Sequence, residues 1–368
     1  MQDHLVLYRK YRPKSFEEIV GQDAVVRALS NALASGRLAH AYLFSGPRGV
    51  GKTTIARLIA KAANCANAGA KGPTPCNICE SCKRYNEGAA FDVIEIDAAS
   101  NRGIDEIREL REAIRYAAAH GGRKIYIIDE VHMLTPPAFN ALLKSLEEPP
   151  EHVIFVLATT EIEKVPATIV SRTQHFEFRR PAVEAIAGRL TEIAKKEGTT
   201  LVPQAAHAIA LVSEGSFRDA ESILGQILAV EDKKITEEEV ESVLGLPRRA
   251  ILFQFYRSLV NKDGAASLAA VGKVGEDGHD MAQFLRSALR LSRLGLFLKL
   301  DPVLASVAGK ELSPDDEKEL RGLVATAVPD HLKKIFMLLA DTLEKTKYSP
   351  LPELPIQLAI LALTVPDN

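Results

Sequence analysis

The stretch AYLFSGPRGVGKTTIARLIAKAANC, residues 41–65, constrains this chain more than any other. Ala41 to Ser45 suit a short buried strand, and apolar residues at 55, 58, 59 and 62 fall on one face of a helix. Between them lies Gly46-Pro47-Arg48-Gly49-Val50-Gly51-Lys52-Thr53-Thr54. Glycines in such a turn let backbone N–H groups close around an anion at the positive end of the helix dipole. The spacing Gly-x4-Gly-Lys-Thr is the Walker A pattern, so residues 46–54 are expected to wrap the phosphates of ATP. Lys52 would reach the β- and γ-phosphates, and the Thr53 hydroxyl would ligate Mg2+. A loop of this kind works at the carboxyl end of a strand in a parallel sheet, which points to an α/β core.

That core needs further strands and a second acidic motif. Lys124-Ile-Tyr-Ile-Ile-Asp-Glu-Val-His132 carries buried-strand material at Ile125 to Ile128, with Asp129 where the strand should end. Asp129 is expected to hold Mg2+ and Glu130 to orient or activate the attacking water. The plainer reading is a surface Asp-Glu pair after a strand. More strands are expected at 91–96, 153–158 and 174–178. Helical periodicity runs through Ile104, Ile107, Leu110 and Ile114, and again through Phe139, Leu142, Leu143 and Leu146. Such alternation makes a mostly parallel sheet with helices on both faces.

All the cysteines, Cys65, Cys76, Cys79 and Cys82, fall within one short stretch of the chain. Four thiolates are a closed tetrahedral shell for Zn2+, which leaves no position for water and points to a structural role. A redox pair or free thiols are the alternatives, whereas a disulfide framework belongs to secreted chains. The Gly- and Pro-rich residues between Cys65 and Cys76 exclude a long helix there.

Composition sets the outer limits. With 368 residues, 46% hydrophobic and 26% charged, the chain reads as two or three domains of ordinary globular composition. The apolar run at 356–365 is about half of a bilayer span. The opening MQDHLVLYRKYRPKSF lacks the apolar core of a secretory signal, so a cytoplasmic location without a membrane partner is expected. A net charge of −2 gives the whole molecule no attraction for nucleic acid, and any DNA contact must come from local patches. Asn101 and Arg102 precede a helix beginning near Ile104. They either meet a DNA phosphate there or leave Asn101 as a helix cap.

Walker A with Asp-Glu-x-His also occurs in superfamily-two helicases. Those require a second motor domain ending in a QxxGRxxR-type segment, whereas the chain after residue 180 reads as helical. The remaining motifs, in their order, resemble the AAA+ family, and within it the gamma/tau subunits of bacterial DNA polymerase III, motors of the clamp loader. They are YRPKSFEEIVGQ at 11–22, the Walker A stretch, the four-cysteine insert, EIDAASN at 95–101, IIDEVHML at 127–134 and FNALLKSLEEPPEH at 139–152. FVLATTE at 155–161, TIVSRTQHF at 168–176 and EGSFRDAES at 214–222 complete the series. A four-cysteine insert directly after the Walker A helix is not a general AAA+ feature, which narrows the match.

The resemblance implies a role for each matching residue. Thr160 looks like the sensor-one residue near the γ-phosphate. Arg172 resembles the arginine finger that reaches a neighbouring subunit's ATP, although Thr173 stands where the family usually has cysteine. Arg218 resembles sensor two, and Tyr11-Arg12-Pro13 through Gln22 resembles the segment packed over the adenine. Read alone, Arg172 is a surface residue after a loop and Arg218 a partner for Asp219 or Glu221.

The expected architecture is α/β plus all-α: an AAA+ P-loop parallel-sheet domain at 1–180 with a zinc module at 65–82, a small helical lid at 181–243, and a helical collar at 244–368. Periodicity alone leaves the last part as either a self-contained bundle or an oligomerisation surface. The resemblance implies an ATPase of the DNA polymerase III nucleotidyltransferase complex that loads a sliding clamp onto primer-template DNA. Its companions would be delta- and delta-prime-type subunits and copies of itself. The longer tau form continues into a tail that contacts helicase and polymerase, and a chain without that tail is expected. Two other readings stand beside this one. Another AAA+ nucleic-acid remodeller is disfavoured by the cysteine insert, and a non-catalytic zinc-containing scaffold by the intact Lys52, Asp129 and Glu130.

Overall fold

The computed structural model describes residues 6–67, 74–118, 122–230, 233–245, 247–301, 303–305 and 312–364. Part of the Gly- and Pro-rich stretch before Cys76, and Leu246 near the start of the expected collar, lie outside them. Five parallel strands, β1 (Ala41–Ser45), β2 (Val93–Asp97), β3 (Lys124–Asp129), β4 (Val153–Thr159) and β5 (Gln174–Glu177), form one sheet in the order β2-β3-β4-β1-β5. The central strands are near-continuous apolar runs because both of their faces are covered. Every residue of β1 and β4 is buried, whereas the edge strands β2 and β5 hold only half-buried and exposed residues.

Strand alternation sorts these side chains into two cores. Tyr42, Phe44, Ile125, Ile127, Ile154 and Val156 pack with Leu29, Ile55 and Ile59 on one face. Leu43, Tyr126, Ile128, Phe155 and Leu157 pack with Ile107, Leu110, Leu142 and Leu146 on the other. The Lys52–Ala63 helix is thereby fixed to the first face, and the helices Ile104–Ile114 and Pro136–Glu147 to the second. Each such side chain contributes about 1.5–3 kcal/mol by burial, and a one-residue slip of a central strand would exchange its faces. That locks the register that places the loops.

The strand expected at 91–96 instead spans Val93–Asp97. Its ladder starts with Val93 opposite Ile125, and Phe91, which passes for strand material by type, is 77% exposed. The last strand ends at Glu177, after which the N–H of Phe178 donates to Ser45 O at 2.7 Å.

The chain divides into two compact units, residues 1–186 with 213–222, and residues 187–212 with 223–368. The first holds the sheet. The second is helical among its described residues apart from a short parallel pair, Thr200–Leu201 with Lys234–Ile235. Four of its described helices begin with side-chain caps, a Thr236/Glu239 capping box and the acceptors Asp263, Asp280 and Ser313. Phe255, Tyr256, Phe284, Leu320, Leu332, Ile335, Leu339 and Ile360 lie in its core.

Candidate functional site

β3, β4 and β1 are neighbours, so the residues leaving their carboxyl ends lie together, where open parallel sheets take ligands. From β1 comes the glycine loop. Gly46, Gly49 and Gly51 have φ of 138°, 77° and 106°. A Cβ on Gly46 would lie 2.3 Å from Phe178 O, and one on Gly49 would lie 1.9 Å from Ser216 Oγ. Only glycine permits both the conformation and the approach. Gly49 O also accepts a hydrogen bond from Phe217 N at 3.1 Å, which seats the 213–222 segment against the loop.

Lys52 opens the following helix and is only 6% exposed. Its Nζ donates to the carbonyls of Gly46 at 2.6 Å and Pro47 at 2.8 Å. Burial pushes its pKa below the ordinary lysine value, opposed by the charges of Glu130 and Asp129. Thr53 Oγ1 donates to Asp129 Oδ2 at 2.8 Å. Burial raises Asp129 above the usual carboxylate range, against the Thr53 bond and the N–H of Glu130, 3.0 Å from Oδ1. A hydroxyl and a carboxylate joined in this way are hard oxygen donors of the kind that Mg2+ takes.

Glu130 follows β3 in a left-handed conformation, φ 48°. Its Oε2 accepts from Thr160 Oγ1 at 2.9 Å and from Thr160 N at 3.3 Å, so the expected water-activating acid and sensor are joined directly. His132, which sequence reasoning left without a role, stands beside them. Its Nδ1 lies 2.9 Å from Thr159 Oγ1 and 3.4 Å from Glu130 Oε2, and its Nε2 lies 3.2 Å from Glu161 Oε1. The available signal was its place in the Asp-Glu-x-His motif.

Arg218, Arg12, Tyr11 and Gln22, the other expected contributors, lie in the same unit. The Arg218 guanidinium is 4.9 Å from the centre of the Tyr8 ring, a cation–π contact, and a hydrogen bond from it lowers the Tyr8 pKa. Arg12 Nη1 is buried without a hydrogen-bond partner. Tyr11 closes the short Leu7–Lys10 helix before Pro13. Gln22 Nε2 donates to Arg179 O at 2.7 Å, tying the 11–22 motif to the residues after β5.

Arg172 is set apart from this group. Its Nη2 pairs with Glu147 Oε1 at 2.7 Å, and its Nη1 donates to Thr168 O at 3.0 Å. It precedes β5, whose Gln174 pairs with Tyr42 near the start of β1, and Glu147 closes the helix that returns to the start of β4. Arg172 therefore lies at the amino ends of the strands, opposite the glycine loop. Asn101 lies in the turn after β2, where its N and Nδ2 donate to Asp97 O at 2.9 and 3.0 Å. The helix cap is Gly103, which makes no side-chain capping bond, so Asn101 caps the turn instead. Arg102 is exposed beside it.

Cys65, Cys76, Cys79 and Cys82 carry no disulfide, and their Sγ atoms lie within 4.8 Å of one another. Zn–S bonds of about 2.3 Å in a tetrahedron set sulfurs about 3.8 Å apart, so the cluster fits such an ion after a small contraction. The N–H groups of Cys76 and Cys79 point at Cys65 Sγ and Cys76 Sγ, each 3.4 Å away. Backbone N–H groups of Ile78 and Cys79 pull the Cys76 thiol down to about 6, favouring the thiolate that a metal binds. Lys61, missed by sequence reasoning, is buried next to the cluster. It donates to the Asn77 and Asn86 side chains, the latter at 2.6 Å.

Two family models match the sequence. One is described as DNA polymerase III, delta subunit, over residues 21–182, and the other as DNA polymerase III subunits gamma and tau domain III, over residues 235–367. DNA polymerase III subunit tau of Bacillus subtilis is 38% identical, over 97% of this chain and 62% of that protein. The Escherichia coli tau subunit is also 38% identical, over 97% and 54%. The gamma subunit of Buchnera aphidicola subsp. Schizaphis graminum is 35% identical over 98% of both chains. The chain thus spans somewhat more than half the length of these two tau relatives. Among solved structures, the Thermotoga maritima RuvB Holliday junction branch migration motor is 20% identical with a TM-score of 0.49, over 75% of this chain and 91% of that one. A likeness at this level does not separate one motor from another.

Proposed function

This chain belongs to the gamma and tau family of DNA polymerase III subunits, and we propose that it is the ATP-hydrolysing motor of a clamp loader. The 2.8 Å bond from Thr53 to Asp129 carries the ATPase reading, because it joins the phosphate loop to the acid at the end of β3. With ATP in the cradle formed by residues 46–54, Lys52 exchanges the carbonyls of Gly46 and Pro47 for β- and γ-phosphate oxygens. Thr53 and Asp129 hold Mg2+, which neutralises charge on the transferring phosphoryl group. Glu130 orients the attacking water and takes its proton, and Thr160, hydrogen-bonded to Glu130, meets the γ-phosphate. Tyr11, Arg12 and Pro13 receive the adenine, a role supported by the unpartnered Arg12 Nη1. Arg218 completes the site from the segment seated on Gly49.

Arg172 acts on the ATP of a neighbouring subunit, a reading supported by its place at the opposite end of the sheet from its own loop. Cys65, Cys76, Cys79 and Cys82 hold a structural Zn2+. Asn101 and Arg102 meet the backbone of primer-template DNA. Residues 181–243 act as a lid and 244–368 as a collar, which assembles copies of this chain with delta- and delta-prime-type subunits. ATP binding at the subunit interfaces favours a ring that opens a sliding clamp, and DNA contact triggers hydrolysis and release. The setting is the cytoplasm. No described helix is long and apolar enough to cross a membrane.

Phosphate release tests the reading, with clamp, companion subunits and primed DNA added in turn. Turnover should rise when clamp and primed DNA are both present. Turnover with DNA alone, indifferent to the clamp, would identify another remodeller. Nucleotide binding without turnover in any mixture would identify a scaffold.

A further inference from the structure

The clamp-loader reading uses Glu130 and Thr160 but gives His132 no task, although its side chain is only 5% exposed and lies among their oxygens. Glu161 Oε1 lies 3.2 Å from Nε2, within ion-pair distance, and is part of a carboxylate itself held by Lys164 Nζ at 2.6 Å. Nδ1 is hydrogen-bonded with the Thr159 hydroxyl at 2.9 Å and lies 3.4 Å from Glu130 Oε2. Thr159 Oγ1 also accepts the N–H of Glu161 at 3.0 Å. One imidazole, carried on the turn that leaves β3, therefore fixes the turn that leaves β4. The β3 exit presents Glu130, and the β4 exit presents Thr160, whose hydroxyl and N–H hold the Glu130 carboxylate.

Packing alone does not call for this ring. The turn after β3 is already anchored by the fully buried Val131, by Leu134, and by the backbone bonds Met133 N to Glu130 O and Leu134 N to Val131 O. A buried polar ring on such a turn stabilises the site chiefly through the partners it satisfies. We propose that His132 is a positioning residue for hydrolysis: through Thr159 and Glu161 it sets the end of β4 from which Thr160 holds Glu130. Its two ring nitrogens face Thr159, Glu130 and Glu161. The inference rests on the ATPase reading above, since it assigns Glu130 a part in that reaction.

The test compares His132→Phe, His132→Asn and His132→Gln in the assembled complex with clamp and primed DNA. Displacing a reacting group by about 1 Å costs roughly 100-fold in rate. His132→Phe, which keeps the ring's footprint and loses its nitrogens, is expected to lower kcat by about that factor, with KM for ATP within about threefold of wild type. The Asn amide stands where Nδ1 stood and should recover most of the turnover, whereas Gln, matching only Nε2, should recover less. If the Phe variant fails to fold, the order Asn above Gln still decides. Wild-type kcat in the Phe variant, a raised KM at unchanged kcat, or equal turnover in Asn and Gln overturns the inference and leaves the ATPase reading standing. Absence of turnover in the wild-type complex instead removes that reading, and this inference with it.

Discussion

Gly49 and Gly51 share a left-handed backbone in the same loop, at φ 77° and 106°, but differ in their surroundings. A Cβ at Gly49 meets Ser216 Oγ at 1.9 Å and Ser216 Cβ at 2.8 Å, whereas one at Gly51 meets nothing within 4 Å. Gly51→Ala should therefore cost only the backbone strain, about 1–3 kcal/mol, while Gly49→Ala adds displacement of the 213–222 segment. Thermal unfolding and nucleotide titration of the two variants should show the larger loss in both at Gly49. Equal losses would mean that Ser216 yields freely. Glu130→Gln should bind ATP as the wild type does and lose about 100-fold or more in phosphate release, if Glu130 handles the water proton. The residues carrying these roles differ in how far the sequence reveals them. Lys52, Thr53, Asp129 and Glu130 are legible because spacing and residue type are both limited by phosphate chemistry. Ser216, Tyr8 and His132 are not, since their meaning comes from contacts between segments that the chain brings together only on folding.

The Lys52–Ala63 helix has chemistry at both ends, the phosphate loop at its start and Lys61 beside the cysteine cluster at its finish. From sequence Lys61 is an ordinary helix lysine, yet it is 4% exposed. Burial lowers its pKa, while the charges of Cys82, Cys65 and Cys76 support its protonated form. A Zn2+ ion held by the four thiolates would leave a net charge of −2, which a buried ammonium bonded to Asn77 and Asn86 would partly offset while holding the loop that bears Cys76 and Cys79. Lys61→Met keeps the apolar stem and removes that charge. It should weaken zinc retention by about 10- to 100-fold in competition with a chromophoric chelator, with the helical circular dichroism unchanged. Retention equal to wild type would reduce Lys61 to a packing role. At this scale the sequence reads well where a pattern is long. The central strands are continuous apolar runs and come through clearly, Phe91 imitates a strand that starts two residues later, and the pair Thr200–Leu201 with Lys234–Ile235 is too short to show a period.

Across the whole molecule, the parallel sheet puts its phosphate loop at the carboxyl ends of the strands and Arg172 at the amino ends. A five-residue strand is about 17 Å long, well beyond the reach of one arginine side chain, so the chain cannot complete its own site with Arg172. If Arg172 is the finger, hydrolysis belongs to the assembly, and the isolated chain should turn ATP over slowly while binding it. Within one chain Arg172 makes an exposed pair with Glu147, worth about 0–1 kcal/mol. Arg172→Ala should therefore leave the unfolding midpoint and ATP affinity of the lone chain nearly unchanged. In the assembled complex with clamp and primed DNA, it should lower kcat by about 1000-fold or more. Mixing it with Lys52→Ala chains sharpens the test, because an interface that pairs an intact loop on one chain with an intact arginine on the next regains turnover. Two variants that are each slow alone and recover together place Arg172 in the neighbour's site. Unchanged turnover in a complex built wholly from Arg172→Ala chains would return Arg172 to the surface, as a partner for Glu147 and nothing more.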